Sequence, residues 1–201
     1  MCIKTASRRK NTILRVISGS AKGHKLKTLK GTLTRPTPGI VKEALFSIIV
    51  PKTGGSHVLD LFAGSGSLGI EALSRGAGFA VFIDRNPICC GIIKENLAHT
   101  RLSDMAAVYC MDYSDAVKKL HREQHRFDII FMDPPYNKKF VQEALKLLTN
   151  NDIMKDDGII IAEHSSSDVL PEICGRYRTV DCREYGDTMI TIYSKDGRDD
   201  L

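Results

Sequence analysis

Two short segments of this 201-residue chain have the residue types and spacing to do chemistry. In the first, Gly64, Gly66 and Gly69 form a GxGxxG pattern. Its glycines let the backbone turn tightly and let a ligand approach the amides at the start of a helix. Asp84 follows Gly64 by twenty residues, a spacing at which a carboxylate can bind the hydroxyl groups of a ribose. This combination predicts a nucleoside cofactor, and it suits a nicotinamide dinucleotide and S-adenosylmethionine alike.

The second segment, Asp133-Pro134-Pro135-Tyr136, favours amine methylation over hydride transfer. The exocyclic amine of a nucleic-acid base is a poor nucleophile because its lone pair is delocalised into the ring. If Asp133 and the carbonyl of Pro134 accept its two N–H bonds, the charge that develops on nitrogen is stabilised and the lone pair can face a methyl donor. The prolines fix the backbone, and Tyr136 offers a ring on which the base can stack.

Four apolar runs that resemble buried strands each carry an acidic residue at or just past the carboxyl end. Such runs are nearly continuous in hydrophobicity because helices cover both faces of a parallel sheet. A carboxylate left uncompensated in an interior is costly, so four such acids predict a ligand crevice at this edge of the sheet. At any single position the alternative is an acid that caps a helix or pairs with a lysine. The acids are Asp60, Asp84, Asp133 and Glu163, after runs that begin at His57, Phe79, Phe127 and Gly158.

Helical periodicity in the segments between these runs predicts an α/β fold with right-handed β-α-β crossovers. A weaker run, Ala106 to Cys110, supplies a further strand. A hairpin pattern between Tyr177 and Tyr193 extends the sheet towards the C-terminus. We therefore predict a doubly wound, mostly parallel sheet of seven strands.

The N-terminal part of the chain departs from this alternation. Two apolar stretches, 13–18 and 25–29, flank a glycine-rich turn and predict a β-hairpin extension. Thr37 and Pro38 then predict the start of a helix, and Pro51 together with the pair Gly54-Gly55 predicts its end.

Charge is distributed unevenly along the chain. The chain has 29 Lys and Arg and 24 Asp and Glu, for a formal net charge of +5, but eleven of the basic residues precede the first acid, Glu43. A basic segment of this kind attracts phosphate-rich partners. We divide the chain into a flexible basic arm at 1–12, a hairpin and helix extension at 13–52 and a catalytic domain at 53–201.

Several protein classes are excluded by the hydropathy of the chain. No apolar run approaches the roughly 18 to 20 residues that a membrane span needs, and the N-terminus lacks the apolar core of a secretory signal. We expect a soluble, cytoplasmic protein with reduced cysteines and no membrane partner. Residues 1–12 are basic, free of acids and contain hydroxyls, as in an organelle transit peptide, and this alternative stays open.

Together the motifs resemble one family of class I S-adenosylmethionine-dependent methyltransferases. The two chemical segments resemble motifs I and IV of that class, and the surrounding sequence resembles the RsmD family, which methylates guanine N2 in bacterial small-subunit ribosomal RNA. The resemblance covers roughly residues 14–194. It rests on Asp60-Leu-Phe-Ala-Gly-Ser-Gly66, Asp133-Pro-Pro-Tyr136, the stretches 15–26, 35–37, 41–46 and 69–76, and Tyr185-Gly-Asp-Thr188.

The resemblance implies a role for each matching residue. The glycine-rich loop would line the methionine part of the cofactor, with Asp60 near its amino group, Asp84 on the ribose and Asp112 beside the adenine. Asp133, Pro134 and Tyr136 would form the target-amine site, and an RNA-facing N-terminal extension would bind substrate. No metal is expected, because methyl transfer to an amine is an in-line displacement that depends on positioning. Cofactor contacts are expected from Asp60, Phe62, Ala63, Gly64, Ser65, Gly66, Asp84, Arg85, Asp112 and Tyr113, and substrate contacts from Lys22, Lys25, Arg35 and Thr37.

This chain departs from the family at two places, and two other functions remain open. It reads Pro38-Gly39-Ile40 where the family has an acid and a base near the expected target entrance, and Tyr113 stands where a small residue is common. Asp-Pro-Pro-Tyr also serves adenine-N6 DNA methyltransferases, although this chain has little room for their target-recognition domain. The other alternative is a nicotinamide-binding module without transferase activity. We expect a monomer that acts on small-subunit ribosomal RNA or on a partly assembled subunit.

Overall fold

A computed structural model of the chain describes residues 14–29, 39–135 and 140–195. Its strands are β1 His57–Asp60, β2 Phe79–Asp84, β3 Ala106–Cys110, β4 Phe127–Met132, β5 Met154–Ser165, β6 Ile173–Cys174, β7 Tyr177–Tyr185 and β8 Thr188–Lys195. Its helices are α1 Gly39–Thr53, α2 Ser67–Ser74, α3 Pro87–Thr100, α4 Tyr113–Arg122 and α5 Phe140–Asn150, and a single 3-10 turn spans Ser103–Met105.

Over these residues the strands form one sheet in the order β3-β2-β1-β4-β5-β8-β7-β6. The five strands from β3 to β5 are parallel, and the last three add antiparallel partners. The predicted mostly parallel sheet is confirmed, but the described sheet has eight strands and not seven. The extra strand, β6, is two residues long and folds back on β7 through Gly175, whose φ of +60° suits glycine.

Helices cover both faces of this sheet, as a doubly wound fold requires. The apolar residues of α1, α2 and α3 share one core with alternate residues of the strands, and those of α4 and α5 share a second core with the other set. Because successive residues of a strand point to opposite faces, every strand except the two-residue β6 contributes to both cores. The sequence signal of continuous apolar runs has this origin.

Helix α1 ends at Thr53, between the proline and the glycine pair that were predicted to end it. Pro51 lies inside the helix, which continues to Thr53, and the hydroxyl of Thr53 donates to the carbonyl of Ile49 at 2.8 Å. Proline in the last turn removes one backbone N–H from the ladder, but little of the helix follows it. The helix ends directly before Gly54 and Gly55, within the predicted stop of Pro51 and this glycine pair, and the glycines are the part of the signal at which it ends. The predicted cap, Thr37 and Pro38, lies outside the described residues.

The N-terminal hairpin, residues 14–29, packs into the core that α1, α2 and α3 share with the sheet. Arg15 and Lys25 form its one described bridge pair, and the amide of Leu26 donates to the carbonyl of Leu14 at 2.9 Å. Its turn docks on the C-terminal end of α2, where a Cβ added to Gly19 would lie 1.7 Å from the carbonyl oxygen of Ser74. Only glycine permits that approach. The predicted hairpin is confirmed, with less regular pairing than two full strands would give.

A buried ion pair holds the hairpin against α1 and α2. The carboxylate of Glu71, fully buried in α2, accepts the amides of Ile17 and Ser18 at 2.8 and 2.9 Å. Lys42 of α1, also buried, lies 3.1 Å from the same carboxylate and donates to the carbonyl of Arg15 at 2.8 Å. The N-terminal hairpin is therefore fastened by charge as well as by apolar contact.

Across the described residues, no helix is long and apolar enough to cross a bilayer. The five cysteines among them, Cys89, Cys90, Cys110, Cys174 and Cys182, form no disulfide with one another.

Candidate functional site

The carboxyl edge of the parallel strands brings the predicted acids to one place. Asp60 at the end of β1 pairs with Phe82 on one side and with Phe131 on the other. Asp84 and Asp133 therefore each lie two residues further along the strands that flank β1. Neighbouring strands are about 4.8 Å apart, so the backbones at these two acids are separated by about 10 Å, with β1 between them. The order of the strands reverses at β1, which is where open α/β sheets bind ligands.

The three acids that lie within strands, Asp60, Asp84 and Glu163, are on the same face of the sheet, and Asp133 directly follows the end of β4. The residue two positions before each of these three acids belongs to the core beneath α1, α2 and α3, and side chains two apart in a strand share a face. These residues are Val58, Phe82 and Ile161. Glu163 differs from the others because β5 continues to Ser165, so it lies inside a strand and not at its end. It remains next to Asp133, since Ala162 pairs with Met132.

The glycine-rich loop is attached to β2 through the carboxylate of Asp84. One oxygen accepts the amide of Gly64 at 2.8 Å, and the other accepts the amide of Asn86 at 2.8 Å. Asp84 thus braces the loop and the turn that opens α3. A carboxylate has about four lone-pair sites, so two backbone donors leave capacity for the hydroxyl groups of a ligand.

Each glycine of the GxGxxG pattern is required for a different physical reason. Gly64 has φ +54° and a Cβ built on it would meet nothing within 4 Å, so its missing side chain leaves open space above the loop. Gly66, with φ +78°, is the N-cap of α2. At Gly69 a Cβ would lie 2.3 Å from the ring of Phe82, so this glycine allows α2 to pack tightly on β2. The pattern is therefore a ligand loop followed by a close helix–strand contact.

Asp60 lies beneath the loop and is 1% exposed. Its carboxylate accepts the amide of Gly69 at 3.1 Å. Burial raises the pKa of Asp60 to about 7, the Gly69 hydrogen bond opposes that rise, and the charge of Asp84 adds to it. Asp60 is therefore a carboxyl group that titrates near neutral pH, and its charge would be favoured by a cationic group placed beside it.

Aromatic rings gather at the same edge on the other face of the sheet. Phe62, which follows β1, lies 5.0 Å from the ring of Tyr113 and 6.4 Å from that of Phe140. The hydroxyl of Tyr113 reaches a carboxylate oxygen of Glu143 at 3.4 Å. Burial raises the pKa of Tyr113, and the Glu143 charge raises it further. Tyr113 is held by packing, so it forms a fixed wall of the site.

The remaining cofactor candidates lie around this wall. Asp112 caps α4, its carboxylate accepting the amide of Ser114 at 2.9 Å. Ala63 is buried, with its amide donating to the carbonyl of Ile83 at 2.9 Å, and Arg85 is exposed.

The structure describes three of the four residues of the segment Asp133-Pro134-Pro135-Tyr136. Asp133 is half-buried, Pro134 is buried and Pro135 is exposed directly after β4. Tyr136 lies outside the described residues, as do Arg35 and Thr37.

The two described substrate candidates lie on the hairpin. Lys22 and Lys25 are exposed, and Lys22 belongs to the turn that docks near Ser74. The turn lies at one end of α2 and the glycine-rich loop at the other. Because α2 has eight residues, the two are about 12 Å apart. The structure therefore places Lys22 away from the crevice. Lys25 is nearer to the loop, because it lies two residues before Lys27, whose backbone shares the side chain of Asn96 with Ser65.

Sequence reasoning missed three polar residues that build the site. Asn96 is 1% exposed and its side-chain amide donates to the carbonyl of Ser65, inside the glycine-rich loop, at 2.9 Å. Lys42 and Glu71 join the hairpin to α2. A signal was present, because each lies three residues from an apolar residue of its helix: Asn96 from Ile93, Glu71 from Leu68 and Lys42 from Leu45. A polar residue on an apolar stripe of a helix needs a buried partner.

These features fit a ligand that carries hydroxyl groups and a positively charged group. Open space over Gly64, spare acceptors on Asp84 and a buried acid with a raised pKa at Asp60 lie around one loop. Where the chain is described, no three His, Cys, Asp or Glu side chains are grouped closely enough to hold a metal ion.

Comparison with known proteins gives consistent findings. Residues 14–194 match the family model described as Conserved hypothetical protein 95. The chain is 42% identical, over 92% of its length and the whole of the relative, to the Bacillus subtilis protein named "Putative rRNA methyltransferase YlbH". It is 37% identical to the Haemophilus influenzae "Ribosomal RNA small subunit methyltransferase D", over 75% of this chain and 78% of that one. A solved structure titled "Putative methyltransferase yhhF from Escherichia coli" superposes with a TM-score of 0.80, at 27% identity, over 92% of this chain and 99% of that chain.

The raised pKa of Asp60 predicts a pH dependence of stability that the isosteric change Asp60→Asn removes. The unfolded carboxyl group ionises near pH 4 and the folded one near pH 7. The free energy of unfolding of the wild type therefore falls as the pH rises from 4 to 7. The free energy of unfolding of the variant, relative to wild type, should rise by about 2 kcal/mol from pH 5 to pH 7.5. Urea unfolding at both pH values measures this. A difference that is the same at both would contradict the assignment.

Proposed function

The chain belongs to the RsmD family, whose family model is described as Conserved hypothetical protein 95, and from that membership we propose its reaction. It transfers a methyl group from S-adenosylmethionine to the exocyclic N2 amine of a guanine in small-subunit ribosomal RNA. The observation that carries the proposal is the register of the sheet. It puts Asp133 and Asp84, the latter bonded to the glycine-rich loop, on the two strands that flank β1.

On the cofactor side, S-adenosylmethionine supplies an electrophilic methyl group when it is bound. The open space over Gly64 and the backbone of Ser65 and Gly66 would take its methionine part. Asp60 would pair with its amino group, which favours the charged form of that carboxyl. Asp84 would accept the ribose hydroxyls through its remaining lone pairs. Phe62, Ala63, Arg85, Asp112 and Tyr113 would surround the adenine and ribose.

On the acceptor side, two oxygen acceptors would hold the guanine amine. The carboxylate of Asp133 and the carbonyl of Pro134 accept its two N–H bonds, so that the nitrogen lone pair points towards the cofactor. Acceptors in this position stabilise the positive charge that develops on nitrogen, and they need no reorganisation as it develops. Tyr136 would stack on the base. A base inside a helix has to leave its stack to reach this site.

The substrate is bound chiefly by charge in this proposal. Lys22 and Lys25 are exposed on the hairpin and would contact RNA phosphates away from the reacting base, while Arg35 and Thr37 would contact RNA nearer to it. The first acid of the chain is Glu43, so the N-terminal segment that would bind RNA carries eleven basic residues and no carboxylate of its own. The relatives named as ribosomal RNA methyltransferases support an RNA substrate of this kind. We place the reaction in the cytoplasm, on RNA or on a partly assembled small subunit, and expect a monomer to carry it out.

Asp133→Ala should abolish methylation while leaving cofactor binding intact. The variant loses the carboxylate that accepts the amine, so we expect a fall in rate of about 100-fold or more. Its affinity for S-adenosylhomocysteine, measured by calorimetry, should change less than about twofold. Rates are measured with ribosomal RNA and immature small subunits from a strain that lacks this protein, and the product nucleoside is identified by mass spectrometry.

A matched control lies on the same strand. Asp128→Asn, at the opposite end of β4, removes a charge that pairs with Lys155 at 2.9 Å and should leave the rate near wild type. N2-methylguanosine is the expected product. Methylation of adenine in duplex DNA, a wild-type rate for Asp133→Ala, or binding of NAD in place of S-adenosylhomocysteine would each contradict the proposal.

The hairpin lysines should contribute to RNA affinity and to its salt dependence. The double change Lys22→Ala and Lys25→Ala removes two exposed positive charges, so RNA binding should weaken and the slope of log affinity against log salt should become shallower by about one for each phosphate that the variant no longer binds. Lys118→Ala with Arg122→Ala removes the same charge from exposed positions of α4, on the other face of the sheet. Equal effects of the two double variants on RNA binding would show that net charge matters and not the hairpin.

A further inference from the structure

Asn96 of α3 joins two parts of the molecule that serve different ligands in the proposed reaction. Its side-chain oxygen accepts the amide of Lys27 at 2.8 Å, and its side-chain nitrogen donates to the carbonyl of Lys27 at 3.0 Å. The same nitrogen donates to the carbonyl of Ser65 at 2.9 Å. Lys27 belongs to the second strand of the hairpin, and Ser65 to the glycine-rich loop. One buried amide therefore bonds both at once.

The amide of Asn96 replaces a strand partner for Lys27. It pairs with both the N–H and the carbonyl of that residue, as a neighbouring strand would, and its second N–H is the one that reaches the loop. Both amide hydrogens and the oxygen are thus engaged at a position that is 1% exposed. Leaving any of these groups unpaired in the interior is costly, so the three bonds form and break together.

The glycine-rich loop rests on the same helix through apolar contact. A Cβ added to Gly66 would lie 3.3 Å from the side chain of Ile93, one turn before Asn96. Ile93 is fully buried beneath the loop. A displacement of the hairpin strand that pulled on Asn96 would therefore alter the surface on which the loop lies.

The surface above Asn96 suits an anionic backbone. A groove of about 380 Å³ runs between the hairpin and α3, lined by Lys25, Lys27, Glu95, Asn96, Ala98 and His99. The ammonium of Lys27 pairs with Glu95 at 2.6 Å, but both side chains are more than half exposed, and such pairs contribute little. A phosphate can take the place of Glu95. The lysine that would bind it is the residue whose backbone Asn96 holds.

The geometry points to Asn96 as a positioning residue that couples RNA binding at the hairpin to cofactor binding at the glycine-rich loop. This inference rests on the proposed function, because it needs RNA on the hairpin and S-adenosylmethionine on the loop. Each ligand orders one side of a shared set of hydrogen bonds, so each favours the conformation that the other needs. Coupling between two binding sites is reciprocal, and both affinities must change by the same factor.

Affinities measured with one and with both ligands test the coupling directly. The dissociation constant of small-subunit ribosomal RNA is measured with and without saturating S-adenosylhomocysteine, and that of S-adenosylhomocysteine with and without the RNA. In wild type each ligand should tighten the other by the same factor, of about fivefold or more. In Asn96→Asp, which keeps an acceptor for the Lys27 amide and loses both N–H donors, the factor should fall below about twofold.

A control on the same helix separates positioning from a general loss of stability. Thr100→Val alters another buried polar residue of α3, whose hydroxyl bonds only to carbonyls of its own helix, at Asn96 and Leu97. It should keep the wild-type coupling factor. If Asn96→Asp does not fold, the wild-type measurement still decides: two ligands that bind without affecting each other overturn this inference and leave the proposed function intact. Failure of wild type to bind either ligand overturns both.

Discussion

The arrangement of this molecule depends on one buried carboxylate, that of Glu71. The side chain is fully buried, and it accepts the amides of Ile17 and Ser18 together with the ammonium of Lys42 and the guanidinium of Arg75, the last at 2.8 Å. A buried charge is tolerated only where its partners are complete, and removing one partner is strongly destabilising. Burial lowers the pKa of Lys42, and the charge of Glu71 opposes that shift. The hairpin, α1 and α2 therefore have one arrangement that satisfies this site.

Helix α2 connects the buried site of Glu71 to the carboxyl edge of the sheet. The hydroxyl of Ser67, the first residue of that helix, accepts from Lys42 at 3.2 Å, and the glycine-rich loop directly precedes it. Asn96 holds the other strand of the hairpin and the loop together. The basic N-terminal hairpin is thus built into the same body as the carboxyl edge. In the sequence, the excess of basic residues near the N-terminus is only a feature of composition. In the fold, the basic hairpin has a fixed position relative to Asp60, Asp84 and Asp133.

Features of the structure that depend on neighbouring residues could be predicted from the sequence, and features that depend on contacts between distant residues could not. The bounds of β2, β3 and β4 agree with the apolar runs because a strand covered on both faces has a continuous pattern that ends where burial ends. The strand-end acids and the glycine spacing are also local, so the sequence could predict that these residues gather at one edge of the sheet. The place of Glu71 on the apolar stripe of α2 indicates that it needs a buried partner. Which partners it has could not be read from the sequence, because they lie more than fifty residues away or on another helix. The short strand β6 depends on a single glycine turn, and Pro51 shows that the last turn of a helix tolerates what its middle does not.

The central claim is that the N-terminal hairpin and the carboxyl edge form one cooperative unit held by Glu71. Native-state hydrogen exchange tests it directly, because the amides of Ile17 and Ser18 are the two that this carboxylate accepts. If the claim holds, both amides exchange only through the same opening that exposes the amides of the central strand β1, with equal free energies of opening. Exchange of Ile17 and Ser18 at rates close to those of an unfolded peptide, while β1 stays protected, would contradict it.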